Sequence, residues 1–488
     1  MLRRVLIANR GEIACRILRT LRSEGIASVA VYHHEDRGAP HVQLADQAVP
    51  LEAEVPSAAY LDQAQIVAAA KRAGADAIHP GYGFLAENAT FAERVASAGL
   101  TFIGPDARAM RLMGDKIHAR AFAVEHGVPV APSIVASDTG SLAPRAAQIG
   151  FPLLIKAAAG GGGKGMRIVR GAAELPESLR IAAAEAQRYF GDGRVYAERY
   201  IERPRHIEVQ VLGDGQGNVV HLFERECSLQ RRYQKIIEES PAPNLSQELR
   251  ATICAAAVRL ASAARYRNAG TVEFVLAPDG SFYFLEMNTR LQVEHPVTEY
   301  VLDVDLVAEQ LRIAAGAGLS LAQRDLQPRG HAIECRICAE EPEHEFRPAT
   351  GRIGVLRVPQ GANLRFDGGI QAGQTITPAF DSLLAKLIAY GTTRAAAAGT
   401  LADALRATVL LGVPTNIDYL ERVLRHPRFL SGSLHTGFLT EHAHELLARE
   451  LPGQAAAATL AALLSDPEFY RVAFEVPEPH ASIGPWHN

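Results

Sequence analysis

Two runs of alternating residues, TVEFVL and SFYFLEMN, flank the pair Asp279-Gly280. Asp-Gly between such runs is a strong signal for a two-residue hairpin turn. A turn centred there sets Glu273 directly opposite Glu286. Like charges facing each other destabilise a sheet. Val272, Phe274, Leu285 and Met287 stand beside them and predict a half-buried hairpin. Two close carboxylates in such a place need a compensating cation or a shared proton. Asn288 lies two residues on, on the face of Glu286. Carboxylate and amide oxygens suit Mg²⁺ or Mn²⁺, above all when phosphates complete the shell. A merely solvated outer face is the alternative. Arg290, Gln292 and Glu294 then alternate with Leu291, Val293 and His295. A continuing strand would hold all three polar residues on the metal's side. They would supply an anion-binding fork, an amide and a general base beside a metal–phosphate site.

The frame around this hairpin has α/β and α+β multidomain character. RVLIA at 4–8 predicts a strand, Ile13, Ile17, Leu18 and Leu21 recur at helical spacing, and Gly25 is a stop signal. SVAVY at 28–32 predicts the next strand, completing a βαβ unit and so a parallel sheet. Helical pattern over Tyr60–Arg72 and Phe91–Ala98, with extended Ala77–His79 and Thr101–Gly104, makes the first part a doubly wound parallel sheet. NRGEIA follows the first strand where a dinucleotide fold carries GxGxxG, so no NAD site is assigned. Short strands and helices mix from about Met113 to Ala332. AIECRI and RIGVLRV then read as strands, and Arg394–Leu411 as a helix, before an Ala- and Pro-rich linker and irregular tail beyond Glu441.

Bulk properties narrow the class. A length of 488 residues suggests roughly three domains. Hydrophobic residues at 48% and charged residues at 21% exclude a mainly disordered chain. A net charge of −4 offers no general basic surface for nucleic acid. A membrane span needs roughly 18 consecutive apolar residues, and none occurs. Val5–Ala8 is too brief for the apolar part of a signal peptide, so a cytoplasmic protein is expected. Five cysteines do not make a disulfide framework.

Between the strand runs PLLIK and MRIV lies AAAGGGGKG. A phosphate-binding P-loop needs Ser or Thr after GK and a helix beyond it; here Gly165 follows Lys164, and a strand follows the glycines. Gly160–Gly163 leave backbone N–H groups open to close approach, and Lys156 and Lys164 add positive charge. A lid over nucleotide phosphates is the reading this favours over a flexible solvent turn.

The glycine lid, the Glu273/Glu286/Asn288 set and the first α/β domain together resemble the ATP-grasp superfamily, and within it the biotin carboxylase family. The strings that carry the resemblance are IANRGEIACRI, HPGYGFLAEN, FIGP, LMGDK, GGGGKGMR, ERECSLQRR, QKIIEESPAP, EMNTRLQVEHPVTE, HAIECRI and FDSLLAKL. They run from residue 2 to about 440. The resemblance implies an N-terminal α/β domain at 1–112, an ATP-grasp domain at 113–330 with its lid at about 131–203, a C-terminal biotin carboxylase domain at 331–442 and a linker at 443–488. It implies that ATP phosphorylates bicarbonate to carboxyphosphate, which carboxylates N1 of biotin. Lys116, Lys156, Gly161, Gly162, Gly163, Met166, Glu198, Tyr200, Ile201, His206, Gln230 and Tyr233 would then line the nucleotide pocket. Glu273, Glu286 and Asn288 would hold Mg²⁺ or Mn²⁺, two ions in all. Arg290, Gln292 and the Val293 backbone would seat bicarbonate, with Glu294 as base. Lys235 would neutralise the transferring phosphoryl group. Arg336 would stabilise the biotin enolate, and Asp381 would shape the biotin pocket. The family usually has His, sometimes Asn, before Gln-Lys in RRHQK, whereas this chain has Tyr233.

None of the five methionines adjoins a lysine, so biotin is expected on a separate carrier protein, with a carboxyltransferase subunit completing an acetyl-CoA or acyl-CoA carboxylase of fatty acid biosynthesis. A homodimer is implied by the resemblance. The alternatives are another ATP-grasp ligase with a non-biotin acceptor and a catalytically silent scaffold. Cys335 and Cys338 form CxxC on a strand, where they face opposite sides and do not chelate. His33-His34 is read as part of a loop after a strand, and Arg231-Arg232 either as a solvated pair or as residues with a phosphate or interface role beside the pocket.

Overall fold

The computed structural model describes residues 2–135, 145–158, 166–447, 459–460 and 463–467. Gly160–Gly163 and most of 443–488 lie outside these described residues. The N-terminal sheet comprises β1 (Arg4–Ile7), β2 (Ala27–Tyr32), β3 (Gln47–Pro50), β4 (Ala77–His79) and β5 (Thr101–Phe102), in the order β3-β2-β1-β4-β5. Every pairing is parallel, as the βαβ pattern requires. Helix Gly11–Ser23 follows β1 and buries Ile13, Ile17, Leu18 and Leu21. Asn88, Asp106 and Asp115 cap the helices that follow them.

A smaller sheet, ordered β6-β9-β7-β8, contains β6 (Ser133–Val135), β7 (Leu153–Ala157), β8 (Arg167–Val169) and β9 (Val195–Arg199). With helix Leu175–Phe190 it encloses a core of its own, including Leu153, Ile155, Leu179 and Ala197.

The centre of the molecule is an eight-stranded sheet. It runs from β14 (Phe282–Asn288) through β13 (Arg267–Leu276), β10 (Arg205–Asp214), β11 (Val219–Arg231) and β12 (Gln234–Ser240). It continues directly into β15 (His331–Cys338), β22 (Leu383–Gly391) and β20 (Leu364–Gly368). Three small ribbons border this end: β16 (Glu340–Glu341) with β17 (Arg347–Pro348), β18 (Gly351–Arg352) with β21 (Thr375–Ile376), and β19 (Val355–Arg357) with β23 (Val409–Leu411). The helix expected over Arg394–Leu411 therefore ends at Ala407; Val409–Leu411 pairs with β19 instead. A β-branched and aliphatic run beside a free strand edge favours the ladder over another helical turn. Among the described residues no helix is long and apolar enough to cross a membrane.

The hairpin differs from expectation in two ways that cancel. Ala277 N–H donates to the Ser281 carbonyl at 2.8 Å, leaving a three-residue loop with Gly280 at φ +86°. That is one residue longer than a two-residue turn. The register then slips back between Glu273 and Phe274, where Leu285 bulges from β14. Glu273 and Glu286 end up as direct partners.

Candidate active site

A cavity of about 480 Å³ opens beside this hairpin, between β10–β14, the end of β15 and the residues before β22. Lys116, Lys156, Met166, His206, Gln230 and Tyr233 line one part of it. Lys235, Glu273, Glu286, Asn288, Arg290, Gln292, Val293, Arg336 and Asp381 line the other. Tyr200 and Ile201 lie just past β9, outside that lining, and Gly161, Gly162 and Gly163 fall outside the described residues.

Glu294 is wholly buried behind the lining. The expected strand through Arg290, Gln292 and Glu294 is not formed: β14 ends at Asn288, and Glu294 stands at the N-cap of helix His295–Leu302. Pro296 sets a helical φ in that first turn, and the Thr289 N–H turns to the Glu87 carboxylate at 2.9 Å rather than to a strand. The three side chains nevertheless converge. Arg290 Nη1 donates to Gln292 Oε1 at 2.6 Å, and Gln292 Nε2 to Glu273 Oε1 at 2.8 Å.

Lys235 is the hub. Its ammonium lies 2.5 Å from Glu208, 2.9 Å from Glu273 and 2.8 Å from Glu294. Burial alone would lower this lysine, but the three carboxylates push it well above its ordinary value. Burial likewise favours a neutral Glu294, yet Lys235 and then Arg336, 3.0 Å from its other oxygen, hold it far below the usual carboxylate range. Glu273 is kept low against burial by Lys235 and His206, whose Nε2 is 2.8 Å away. Lys116 sits 2.9 Å from Glu286 and is raised by it despite burial. Glu198 lies behind the lining, clamped by the lining residue Lys156 at 2.5 Å and by Arg120 at 2.9 Å.

Glu273, Glu286 and Asn288 form an all-oxygen donor set that fits a hard divalent cation. The sequence reading missed Glu208, Glu87 and Glu238. Glu208 had a signal: HIEVQV puts His206, Glu208 and Gln210 on one face of an otherwise apolar strand. Glu208 pairs with Glu273 across β10 and β13 and also contacts Arg225. Glu87, inside HPGYGFLAEN, grips Arg290 at 3.1 Å. Cys335 and Cys338 are buried free thiols on β15, and His33 caps a short 3₁₀ turn. Arg231 pairs with Glu340, and Arg232 reaches Glu345 at 3.0 Å.

Comparison with known proteins assigns the class first. Residues 115–322 match the family model described as carbamoyl-phosphate synthase L chain, ATP binding domain, a span that supplies most of the cavity lining. Residues 1–110 match the biotin carboxylase N-terminal domain, and 334–441 match the biotin carboxylase C-terminal domain. A biotin carboxylase of Nostoc sp. is 50% identical over 441 residues, covering 90% of this chain and 98% of the relative. A biotin carboxylase of Haemophilus influenzae is 48% identical over 442 residues, again covering 90% and 98%. The biotin carboxylase domain dimer of Hydrogenobacter thermophilus 2-oxoglutarate carboxylase was solved with MgADP, ADP and bicarbonate. It superposes with a TM-score of 0.90 at 44% identity, over 92% of this chain and 100% of that one. The chain belongs to the biotin carboxylase family of ATP-dependent ligases.

Proposed function

We propose that this chain carboxylates biotin held on a separate carrier protein, using ATP and bicarbonate, as the first half-reaction of an acetyl-CoA or other acyl-CoA carboxylase. The observation that carries the reading is a buried carboxylate, Glu294, between Lys235 and Arg336 behind a cavity that also presents Glu273, Glu286 and Asn288. Arg290, Gln292 and the Val293 backbone seat bicarbonate. Glu294 takes its proton as a bicarbonate oxygen attacks the terminal phosphorus of ATP, forming carboxyphosphate and ADP. Lys235 balances charge on the phosphoryl group in flight. Mg²⁺ or Mn²⁺, held by Glu273, Glu286 and Asn288, would neutralise phosphate charge when bound. Carboxyphosphate then splits into CO₂ and phosphate, and the phosphate takes the N1 proton of biotin. Arg336 holds the resulting enolate as N1 bonds to CO₂, with Asp381 bounding the biotin end. Lys116, Lys156, Met166, Glu198, Tyr200, Ile201, His206, Gln230 and Tyr233 serve the nucleotide, with residues 131–203 as its lid. The Hydrogenobacter relative's dimer supports a homodimer here, and a carboxyltransferase partner in the same cytoplasmic assembly would select the acyl acceptor.

The test is ATP cleavage by the purified protein, with and without bicarbonate, free biotin and biotinylated carrier. Bicarbonate dependence, stimulation by biotin and a loss of about 10²-fold or more in Glu294→Gln are expected. Bicarbonate-dependent cleavage that biotin leaves unchanged would favour another ATP-grasp ligase. No cleavage even with the carrier would leave only the scaffold.

A further inference from the structure

Glu238 on β12 and Glu334 on β15 are direct partners across an antiparallel ladder. Side chains so placed point to the same face with Cβ atoms about 5 Å apart. Both residues are 0% exposed. Arg336, two residues along the same strand, donates from Nε to Glu238 Oε1 at 2.6 Å and from Nη2 to Glu294 Oε2 at 3.0 Å. The other three carboxyl oxygens, Glu238 Oε2 and both of Glu334, have no hydrogen-bond partner among the described residues. Two buried carboxylates side by side cannot both ionise without large cost, whereas one proton between them satisfies two of the three orphaned oxygens at once.

We propose that Glu238 and Glu334 share one proton beneath Arg336, and that this singly charged pair positions the arginine between Glu294 and the cavity. The role rests on the biotin carboxylase reading of Arg336 and Glu294. Neither glutamate touches the cavity, so both are positioning residues. With one negative charge below it, Arg336 bridges Glu238 and Glu294. A second charge would draw the guanidinium down into the sheet and away from Glu294.

The surrounding charges fit a single proton. Lys386 on β22 faces the pair but is already bonded to the Val293 carbonyl at 2.7 Å, with Glu12 at 3.4 Å and Asp367 at 4.0 Å. Helix His295–Leu302 packs against β15, and its His295 is turned to the Gln292 carbonyl at 2.7 Å. On the opposite face of β12, Glu239 takes His331 and Arg394, both at 2.6 Å, and needs no proton. Burial raises both Glu238 and Glu334 from the ordinary carboxyl range, in keeping with a retained proton.

Two measurements test this. Neutron diffraction of deuterium-exchanged wild-type crystals at neutral pH needs no variant. A deuteron on Glu238 or Glu334 facing the other carboxyl is expected; its absence from both overturns the pair, whatever the protein's activity. The pH profile of biotin-stimulated ATP cleavage then tests the role. Glu334→Gln keeps one fixed charge and removes the proton that can be lost, so its alkaline limb should move up by about one unit. An alkaline limb that coincides with wild type overturns the positioning role. Bicarbonate-independent cleavage by the wild type would instead count against the underlying reading and leave the diffraction result untouched.

Discussion

Charge compensation decides how single residues behave here. The opposed pair Glu273 and Glu286 suggests from sequence a repulsion that removing one charge would relieve. The structure answers differently, because Lys235 and His206 hold Glu273 while Lys116 holds Glu286. Glu286→Gln should therefore cut ATP cleavage by about 10²-fold or more without raising thermal stability in the absence of metal. The lost contact is partly exposed, so the stability change should stay within about 1 kcal/mol. Melting curves beside turnover assays check both halves. Glu12 carries a second residue-level consequence. Burial, opposed by Lys386, lifts its carboxyl from 4.5 to about 7. A raised folded-state value means stability present below pH 4.5 and lost as pH rises towards 7. Wild type should lose about 3 kcal/mol across that window from this group, and Glu12→Gln should not. Denaturant titrations at pH 5 and pH 8 would show it. The opposed glutamates were legible in sequence because they sit on neighbouring strands of one hairpin, although the loop length and the bulge that set their register were not. Lys116 was read as lining the nucleotide pocket and Lys235 as neutralising the phosphoryl group, not as their counter-ions, since which cation neutralises which carboxylate depends on contacts up to 170 residues apart.

At the scale of elements, a right answer was reached through wrong geometry. Asp279-Gly280 promised a two-residue turn; Pro278 lengthens the loop, and the bulge at Leu285 restores the pairing. Bulges arise from packing on both faces of a strand and leave no mark in a single alternating run. The stripe through Arg290, Gln292 and Glu294 failed as a strand for a readable reason, Pro296, yet its residues still meet. A tighter turn joins β11 to β12. Arg231 pairs with Gln234, and the two residues between, Arg232 and Tyr233, have φ +49° and +64°. Such a turn favours Asn and Gly at both positions. An arginine and a half-exposed tyrosine there are strained, and Tyr233 lines the cavity. Tyr233→Asn should stabilise the fold by about 0.5–1 kcal/mol while raising the Michaelis constant for ATP several-fold. A variant that is more stable with unchanged ATP affinity would free Tyr233 from any nucleotide role.

Across the whole molecule, charged ties join parts that the sequence presents separately. Arg16 of the first helix meets Glu299 at 2.7 Å and Asp305 at 2.8 Å, and Arg365 meets the same Glu299 at 2.7 Å. Leu212, Leu291 and Leu306 share one apolar cluster with Val5 and Ile17. Period and composition locate domains but not the faces by which they fuse, so this merging was invisible in the sequence. The small sheet β6–β9 differs, with a core of its own. Hydrogen exchange should show it opening as a unit at lower free energy than the central sheet, and MgADP should slow that exchange most at β7 and β9. Uniform protection of both sheets would argue against a separately moving lid.

The junction of β12 with β15 has one more consequence. Ile237 pairs with Cys335 and Ser240 with Ala332, so the ladder that joins the two parts of the central sheet is made by two stretches far apart in the chain. Cut between 327 and 328, the protein would become two pieces, each ending in a raw sheet edge whose natural partner is the other piece. Lys235 lies on one piece and Arg336 on the other, and Glu294 bonds to both. Expressed apart, the pieces should aggregate and turn over no ATP; expressed together, they should zip along that ladder and recover activity, which makes the cut chain a split-protein reporter read by its own chemistry.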